Sequence, residues 1–352
     1  MKRQDFKKIN NRGSRKRLII RVSLLVTLTA FLSIVAYGVV LQKKVSDTAD
    51  LAYEELDDRK KSLLRDEAVE PIKDNVSILF IGVDESDLRN QSDSNSRSDA
   101  LIVATLNNKD KSVKLVSIPR DSYVYVPDRG RNDKITHAHA FGGTRGTIDT
   151  VEGALDIPID YYVKMNFNAF IEVVDALGGI EAEVPYDYTE LDENDQRTIQ
   201  LEKGMQHLDG KHALALARTR MLDNDIERGK RQQMILQAIL KETISFKSIT
   251  KYGDVIDAVG DNMKTNMTFK EMKSFFAYLT GGMPEVEMIN LVGKDDKSTG
   301  TYYWMLDEEH LEEVKLELQT HLEVSGPSST LTNRTPEINN QNEAANATNY
   351  AK

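Results

Sequence analysis

Two groups of charged residues in this 352-residue chain have the types and spacing to hold phosphate. The first comprises Asp84, Arg97, Asp99, Arg120 and Asp121, which stand at the ends of three short apolar runs. Residues 76–83 (VSILFIGV), 100–106 and 113–118 read as strands, the last two joined by the polar turn 107–112. In an antiparallel meander Asp84 closes the first strand, Arg97 and Asp99 open the second, and Arg120 and Asp121 follow the third. All five then gather at one edge of the sheet. A turn linking Leu106 to Val113 sets Ala100 opposite Pro119, which makes Asp99 and Arg120 neighbours. Two carboxylates with no third protein ligand suit Mg2+, which keeps several waters and bridges substrate phosphates. The competing reading is ordinary loop charge at strand ends.

The second group is Arg218, Arg220, Arg228 and Gln232. Arg218 and Arg220 are two apart, which puts both guanidinium groups on one side of an extended segment but on different faces of a helix. Arg228 and Gln232 are four apart near the start of a helical stretch, on one face and where the helix dipole favours anions. Arginine forks match phosphate oxygens bidentately. The alternative is a set of solvated surface arginines. His137 and His139 have H-x-H spacing, but without cysteines or a third nearby histidine this favours hydrogen bonding over a metal. No G-x-S-x-G, Walker loop or G-x-G-x-x-G fingerprint is present.

The elements that position these groups are legible as a pattern. A helix is expected near 146–155, a strand at 161–166, and a helix at 168–177 stopped by Gly178-Gly179. Residues 180–184 return as a strand before Pro185. Further helices are expected near 208–217, 226–245, 269–279 and 307–322, with a late strand at 286–291. Strands and helices interleave, so the fold class is α/β (mixed α+β) around one central mixed β-sheet flanked by helices.

Ahead of this domain lies an anchor. Residues 22–41 carry no charge over twenty positions, about the length that spans ~30 Å of hydrocarbon as a helix. Before it stand nine lysines and arginines against one acid, Asp5, so the N-terminus is expected to stay in the cytoplasm. A cleaved signal peptide fits less well: the run is long and Gln42-Lys43-Lys44 offers no small-residue cleavage site. Residues 1–41 thus carry +8, and a total of −10 leaves −18 on the remainder. Such an acidic exported part is a poor general binder of nucleic acid or anionic lipid. The absence of cysteine excludes disulfides and thiolate metal sites. The expected organisation is a basic tail at 1–17, a membrane helix at 18–41, a charged stalk at 42–74, a globular domain at 75–323, and a polar, disordered tail at 324–352.

Taken in order, these segments resemble the LytR-CpsA-Psr family of cell-wall glycopolymer transferases. The resemblance rests on FIGVD at 80–84, RSDALIVATLN at 97–107, SIPRDSYV at 117–124 and DKITHAHAFGG at 133–143. It continues through IPIDYYVKMNF at 157–167, VDALGGIEAEVP at 174–185, LDGKHALALARTR at 208–220 and RGKRQQ at 228–233. It implies a polyprenyl-pyrophosphate-linked glycopolymer, most simply wall teichoic acid, as donor and a peptidoglycan muramic acid hydroxyl as acceptor. Asp84 and Asp99 match the acids that hold Mg2+ (or Mn2+) on the pyrophosphate. Arg120 matches an arginine close to the reacting bond, with Arg97 in support. Arg218, Arg220, Arg228 and Gln232 match the second phosphate-binding group. For the general base Asp99, Asp121 and a hydroxyl that needs little help all stay open. The lipid tail needs an apolar pocket, for which 170–177 and 234–244 are candidate linings. The chain departs from the family pattern at Glu85-Ser86, where an arginine is common, at Thr136, often asparagine, and at Leu216, often aromatic. Two other readings stay open: a non-catalytic receptor signalling through the membrane helix, and a lipid pyrophosphatase using the same residues with water as nucleophile.

The topology has a direct test. Protease added to intact protoplasts is expected to remove everything after the membrane span and to spare the basic tail. Recovery of the globular domain among cytoplasmic soluble proteins contradicts it.

Overall fold

The computed structural model describes residues 50–56, 59, 61–71, 73–83, 96–192, 196–219, 225–245, 262–280 and 283–324, with positions 43 and 47. The 22–41 span, Asp84, Glu85, Ser86, Arg220 and tail residues 325–352 lie outside the described residues. Among the described residues no helix is long and apolar enough to cross a membrane.

The three apolar runs form the meander expected from them. β1 (Val76–Val83) pairs antiparallel with β2 (Ser98–Asn107), and β2 with β3 (Ser112–Ser117). Leu106 faces Val113 and Ile102 faces Ser117, the register that the turn required. Asn107 fixes that turn, its side-chain oxygen accepting the Lys109 and Asp110 N–H groups at 2.9 and 3.0 Å. The chain then makes a hairpin of β4 (Tyr123–Val126) and β5 (Arg131–Lys134), followed by α1 (Thr136–Leu155). α1 is bent at Gly143, whose φ of 59° and ψ of −151° no ordinary helical residue adopts. β6 (Tyr161–Met165), α2 (Phe167–Leu177) and β7 (Ile180–Val184) come next. α2 is capped by Asn166, which accepts the Ala169 N–H, and stopped by Gly178 in the left-handed region.

The second half supplies a small lobe and closes the sheet. β8 (Tyr188–Leu191) pairs with β9 (Arg197–Leu201), and β10 (Gly204–Leu208) pairs with β7. α3 (Gly210–Arg218), α4 (Asp225–Ser245), β11 (Met263–Thr265), α5 (Phe269–Thr280) and β12 (Glu285–Asn290) follow. A last hairpin, β13 (Gly293–Asp296) with β14 (Tyr303–Leu306), precedes α6 (Glu308–Leu322). The main sheet runs β11-β6-β1-β2-β3-β12, with β6 parallel to β1 and β12 parallel to β3. The fold is therefore mixed α/β, a central mixed sheet flanked by helices.

Strand alternation gives the two faces of this sheet different jobs. Leu79, Ile81, Val83, Leu101, Val103 and Val116 are all buried under α1 and α6, against Ile148, Leu155, Val314 and Leu318. The opposite face presents Ile78, Ile102, Ala104, Leu115 and Val163 toward the side where α4 and α5 lie. That side is filled incompletely, and the room it leaves is the cavity described below.

One expected boundary moves. Part of the 42–74 stretch is fastened to the domain instead of standing off it as a stalk. Ala52 and Leu56 are buried, and the Glu54 N–H bonds Thr265 O at 2.8 Å. Arg59 meets Asp149 and Glu152 at 3.0 and 2.6 Å, and Arg65 meets Asp160 at 2.7 Å. Charges that look solvated in sequence are here satisfied by carboxylates about ninety positions away.

Candidate functional site

The site assembles at the sheet edge where β1 ends, β2 begins and β3 has just ended. Extending the β2–β3 register by three residues sets Asp99 against Arg120, and the Arg120 guanidinium does donate to the Asp99 carboxylate. Their side chains are 31% and 25% exposed, so the pair faces solvent and ligand while remaining positioned. Asp121 points elsewhere. Its carboxylate meets Lys134 Nζ at 2.8 Å and lies 3.8 Å from Arg120 Nε. The start of α1 pins both strand ends: the Thr136 hydroxyl donates to Ser98 O at 2.7 Å and its N–H to Arg120 O at 3.1 Å. Threonine thus fulfils a bracing role at the position where the family pattern often has asparagine. Arg97 is exposed.

The arginines of the second group reach the same edge from the helical side. A cavity of about 440 Å³ lies between the sheet and helices α2, α3 and α4. Asp99, Arg120, Arg218, Arg228 and Gln232 all line it. Its remaining walls are largely apolar, with Phe80, Ile102 and Val163 on the sheet and Phe170, Val173, Ile235 and Ile239 on the helices. A second apolar cavity of about 330 Å³ shares Phe80, Val163 and Leu236 with it and continues toward Leu106, Met272 and Phe275. Both helical segments expected as apolar linings, 170–177 and 234–244, contribute to these walls.

Close packing sets where the cations stand. Gly229 in α4 has no room for a side chain, because a Cβ there would come 2.4 Å from Ser117 Oγ at the end of β3. That contact seats the first turns of α4, with buried Arg228, beside the strand that leads into Arg120. Arg231 is structural: its guanidinium caps Leu216 O and Thr219 O at 3.1 and 2.5 Å and so holds the end of α3. Gln232 Nε2 donates to Ala217 O at 3.3 Å. Arg218 ends α3 and lies over the Phe167 ring at 4.6 Å, a cation–π contact, with a 3.4 Å bond to Asp192 O. It is helical, and the chain becomes extended only at Thr219. Leu216, where the family pattern often has an aromatic, is fully buried in the small-lobe core.

Two histidines flank the edge. His139 is buried and its Nδ1 bonds Ser96 O at 2.8 Å, a structural use. His137 Nδ1 stands 3.0 Å from Asp133. Burial, then the cationic Arg97, Arg129 and Lys134, hold the His137 imidazole below its ordinary range, against the pull of Asp121. The fit for a metal is limited but coherent. No cluster of three His, Cys, Asp or Glu ligands exists among the described residues. Asp99 offers one partly exposed carboxylate beside the end of β1. Such a donor set suits a hard cation that takes its other ligands from phosphate and water.

Several residues that build the site were not singled out by sequence reasoning. Gly82 and Ala100 face each other on adjacent strands beside Asp99, where larger side chains would fill the cavity. Phe167, Gly229 and Lys134 were likewise missed. Only the glycine inside a helical stretch carried a local signal.

Comparison with known proteins decides the family. The LytR_cpsA_psr family profile matches residues 39–320. The chain belongs to the LytR_cpsA_psr family. It is 39% identical over 317 residues to the polyisoprenyl-teichoic acid–peptidoglycan teichoic acid transferase TagT of Bacillus subtilis, covering 89% of this chain and 98% of that protein. It is 38% identical to TagU of Halalkalibacterium halodurans, covering 88% of this chain and all of that one. Among solved LytR_cpsA_psr structures, TagT bound to LI-WTA superimposes with a TM-score of 0.67 at 40% identity, covering 77% of this chain and 100% of that chain. TagT with bound octaprenyl pyrophosphate lipid gives 0.63 at 38% identity over the same shares.

The Asp99–Arg120 pair is partly buried at the open edge of the sheet, and ion pairs near the surface contribute about 0–1 kcal/mol. Asp99→Asn is therefore expected to change the free energy of urea unfolding by less than about 1 kcal/mol. A loss of several kcal/mol would mean that Asp99 is a structural residue.

Proposed function

We propose that this protein transfers an anionic glycopolymer, most simply wall teichoic acid, from a polyprenyl-pyrophosphate carrier to a muramic acid hydroxyl of peptidoglycan. The observation that carries the reading is a cavity with cations and one carboxylate among its walls and apolar side chains over the rest. A pyrophosphate attached to a long hydrocarbon has that same division. The named relatives are teichoic acid transferases, and one was solved with a polyprenyl pyrophosphate lipid. Their kinship supports carrying the reaction over.

In this reading the lipid chain occupies the two adjoining apolar cavities, and the pyrophosphate lies against Arg120, Arg218, Arg228 and Gln232. Arg220 joins them, with Arg97 in outer support. The acceptor oxygen forms a new bond to the phosphorus that carries the glycan. The bond from that phosphorus to the bridging oxygen breaks, and polyprenyl phosphate leaves with the electron pair. The hydroxyl proton passes to a carboxylate or to water. Asp99 lines the cavity and is the carboxylate within reach of substrate. Asp121 is engaged by Lys134 and backs the Arg120 guanidinium. Phosphoryl transfer of this kind depends mostly on positioning and charge stabilisation, so the arginines do most of the work. Asp84 and Asp99 would hold Mg2+, or Mn2+ in its place, which when bound neutralises charge developing on the phosphate oxygens.

The protein acts from the outer side of the cell membrane, single-pass, with residues 1–17 in the cytoplasm. The length and charge of the 22–41 span support this placement, and the site's lipid substrate is consistent with it.

A purified full chain incubated with synthetic lipid-linked donor, with and without peptidoglycan strands, separates the readings. Acceptor-dependent transfer is expected, and loss of both EDTA-sensitive turnover and transfer in Asp99→Ala by at least about 10²-fold. Release of lipid phosphate at the same rate without acceptor would favour the pyrophosphatase, and tight donor binding without turnover would favour the receptor.

A further inference from the structure

A transfer reaction needs a place for its second substrate, and the cavity accounts only for the first. The reading above puts the leaving lipid phosphate inside that cavity, so the attacking hydroxyl must approach the phosphorus from the opposite, open side. Asp121 follows Arg120 in the chain, is buried, and is not among the cavity walls. Asp121 ties the site to a surface that the catalytic reading leaves unused. Its carboxylate holds Lys134 of β5, and its carbonyl accepts the Trp304 N–H of β14 at 2.9 Å. The bridge between Ser122 and Trp304 sets the β13–β14 hairpin beside the β4–β5 hairpin.

The two hairpins carry a row of tyrosines. Tyr123 and Tyr125 lie on one face of β4, with Lys134 and Asn132 opposite them on β5. Tyr123 packs edge-on against Tyr303, centroids 4.8 Å apart. Lys134 Nζ stands 5.7 Å from the Tyr302 ring centre and 5.9 Å from that of Tyr303, and Lys297 stands 5.6 Å from Tyr302. Tyr302 Oη donates to Asp295 at 2.9 Å, which holds that ring in place. Tyr125 is 58% exposed.

We infer that this tyrosine row is the docking surface for the acceptor glycan strand, leading from solvent past Lys134 to the reacting phosphorus. The inference rests on the transferase reading. Its chemistry fits a saccharide: aromatic plates cover the C–H faces of sugar rings, while the phenol tips, Asn132 and Asp295 are spaced among them to bond hydroxyls. Lys297 complements the carboxylates of peptidoglycan's peptide stems, and Lys134, held by Asp121, stacks between the rings. A protein partner or a bilayer would call for a broader continuous apolar patch than rings so interrupted by polar groups.

Trp304 is the only tryptophan in the chain; its backbone N–H bonds Asp121 O and its strand neighbour Tyr303 belongs to the row, so its emission serves as the probe of strand binding. The full chain in detergent micelles is titrated with soluble, teichoic-acid-free glycan strands, in wild type and in Tyr125→Ser/Tyr302→Ser. A saturable change in Trp304 emission is expected, with affinity about tenfold weaker in the variant. In the transfer assay the variant's acceptor KM is expected to rise by a similar factor, beyond any change in donor KM. Equal strand affinity in both proteins overturns the inference, as does a parallel rise in the two KM values. A Trp304 response to lipid vesicles without glycan, equal to that given by strands, also overturns it. If wild type binds strands through Trp304 but never transfers, the transferase reading fails and the glycan surface stands.

Discussion

The hydrogen-bond register of β1, β2 and β3 is the constraint on which the rest of this molecule depends. A ladder slipped by one residue would turn Asp99 from Arg120 and exchange the two differently packed apolar faces of β2. The register is held from two directions. Asn107 fixes the β2–β3 turn with two backbone bonds. Leu79, Ile81, Leu101 and Val103 pack under α1 and α6, where each buried side chain stabilises the fold by about 1.5–3 kcal/mol. The ion pair at the site edge therefore follows from packing decided in the core. It is a consequence of the fold and contributes little to it.

The sheet's other face shows how a protein keeps a cavity open beside a well-packed core. Gly82 and Ala100 are small where the cavity meets Asp99. On the far wall α4 is tied at three points. Gly229 lies against Ser117, Arg231 caps the end of α3, and buried Gln233 bonds Leu115 O and Ile289 O at 2.8 Å each. These ties hold the helix at a set distance from the sheet, so its apolar side chains line a space instead of collapsing into it. Arg228 travels with the same helix. The spacing that keeps the apolar volume open also sets how far one cation stands from Arg120.

Much of this was legible in the sequence because it is local. The meander, its register and the Asp99–Arg120 contact followed from three apolar runs and one polar turn. The stop at Gly178 and the principal helices followed from periodicity and caps. What escaped was long-range or carried by unpatterned segments. Strand β5 reads Arg131-Asn132-Asp133-Lys134, with no apolar alternation to mark it, and is a strand only because β4 pairs with it. The parallel pairing of β12 with β3 joins segments far apart in sequence, and no local signal specifies it. Arg59 and Arg65 looked like stalk charges because their carboxylate partners are also distant. In the candidate site, the cations were visible as residue types, whereas Gly229 and Phe167, which place them, had meaning only once the helices were docked.

In the proposed reaction, cations from two remote parts of the chain, one after β3 and one on α4, act on a single pyrophosphate. A double-mutant cycle with Arg120→Met and Arg228→Met, which keep bulk while removing charge, tests it most directly, read as kcat/KM for polymer transfer in proteins of matched thermal stability. Removing one charge-stabilising donor typically costs ~10²–10³ in rate. Each single variant is predicted to lose about that much, and the double variant less than the product of the two losses, because the groups serve one transition state. Strict additivity, or a wild-type rate in either single variant, would contradict a shared site.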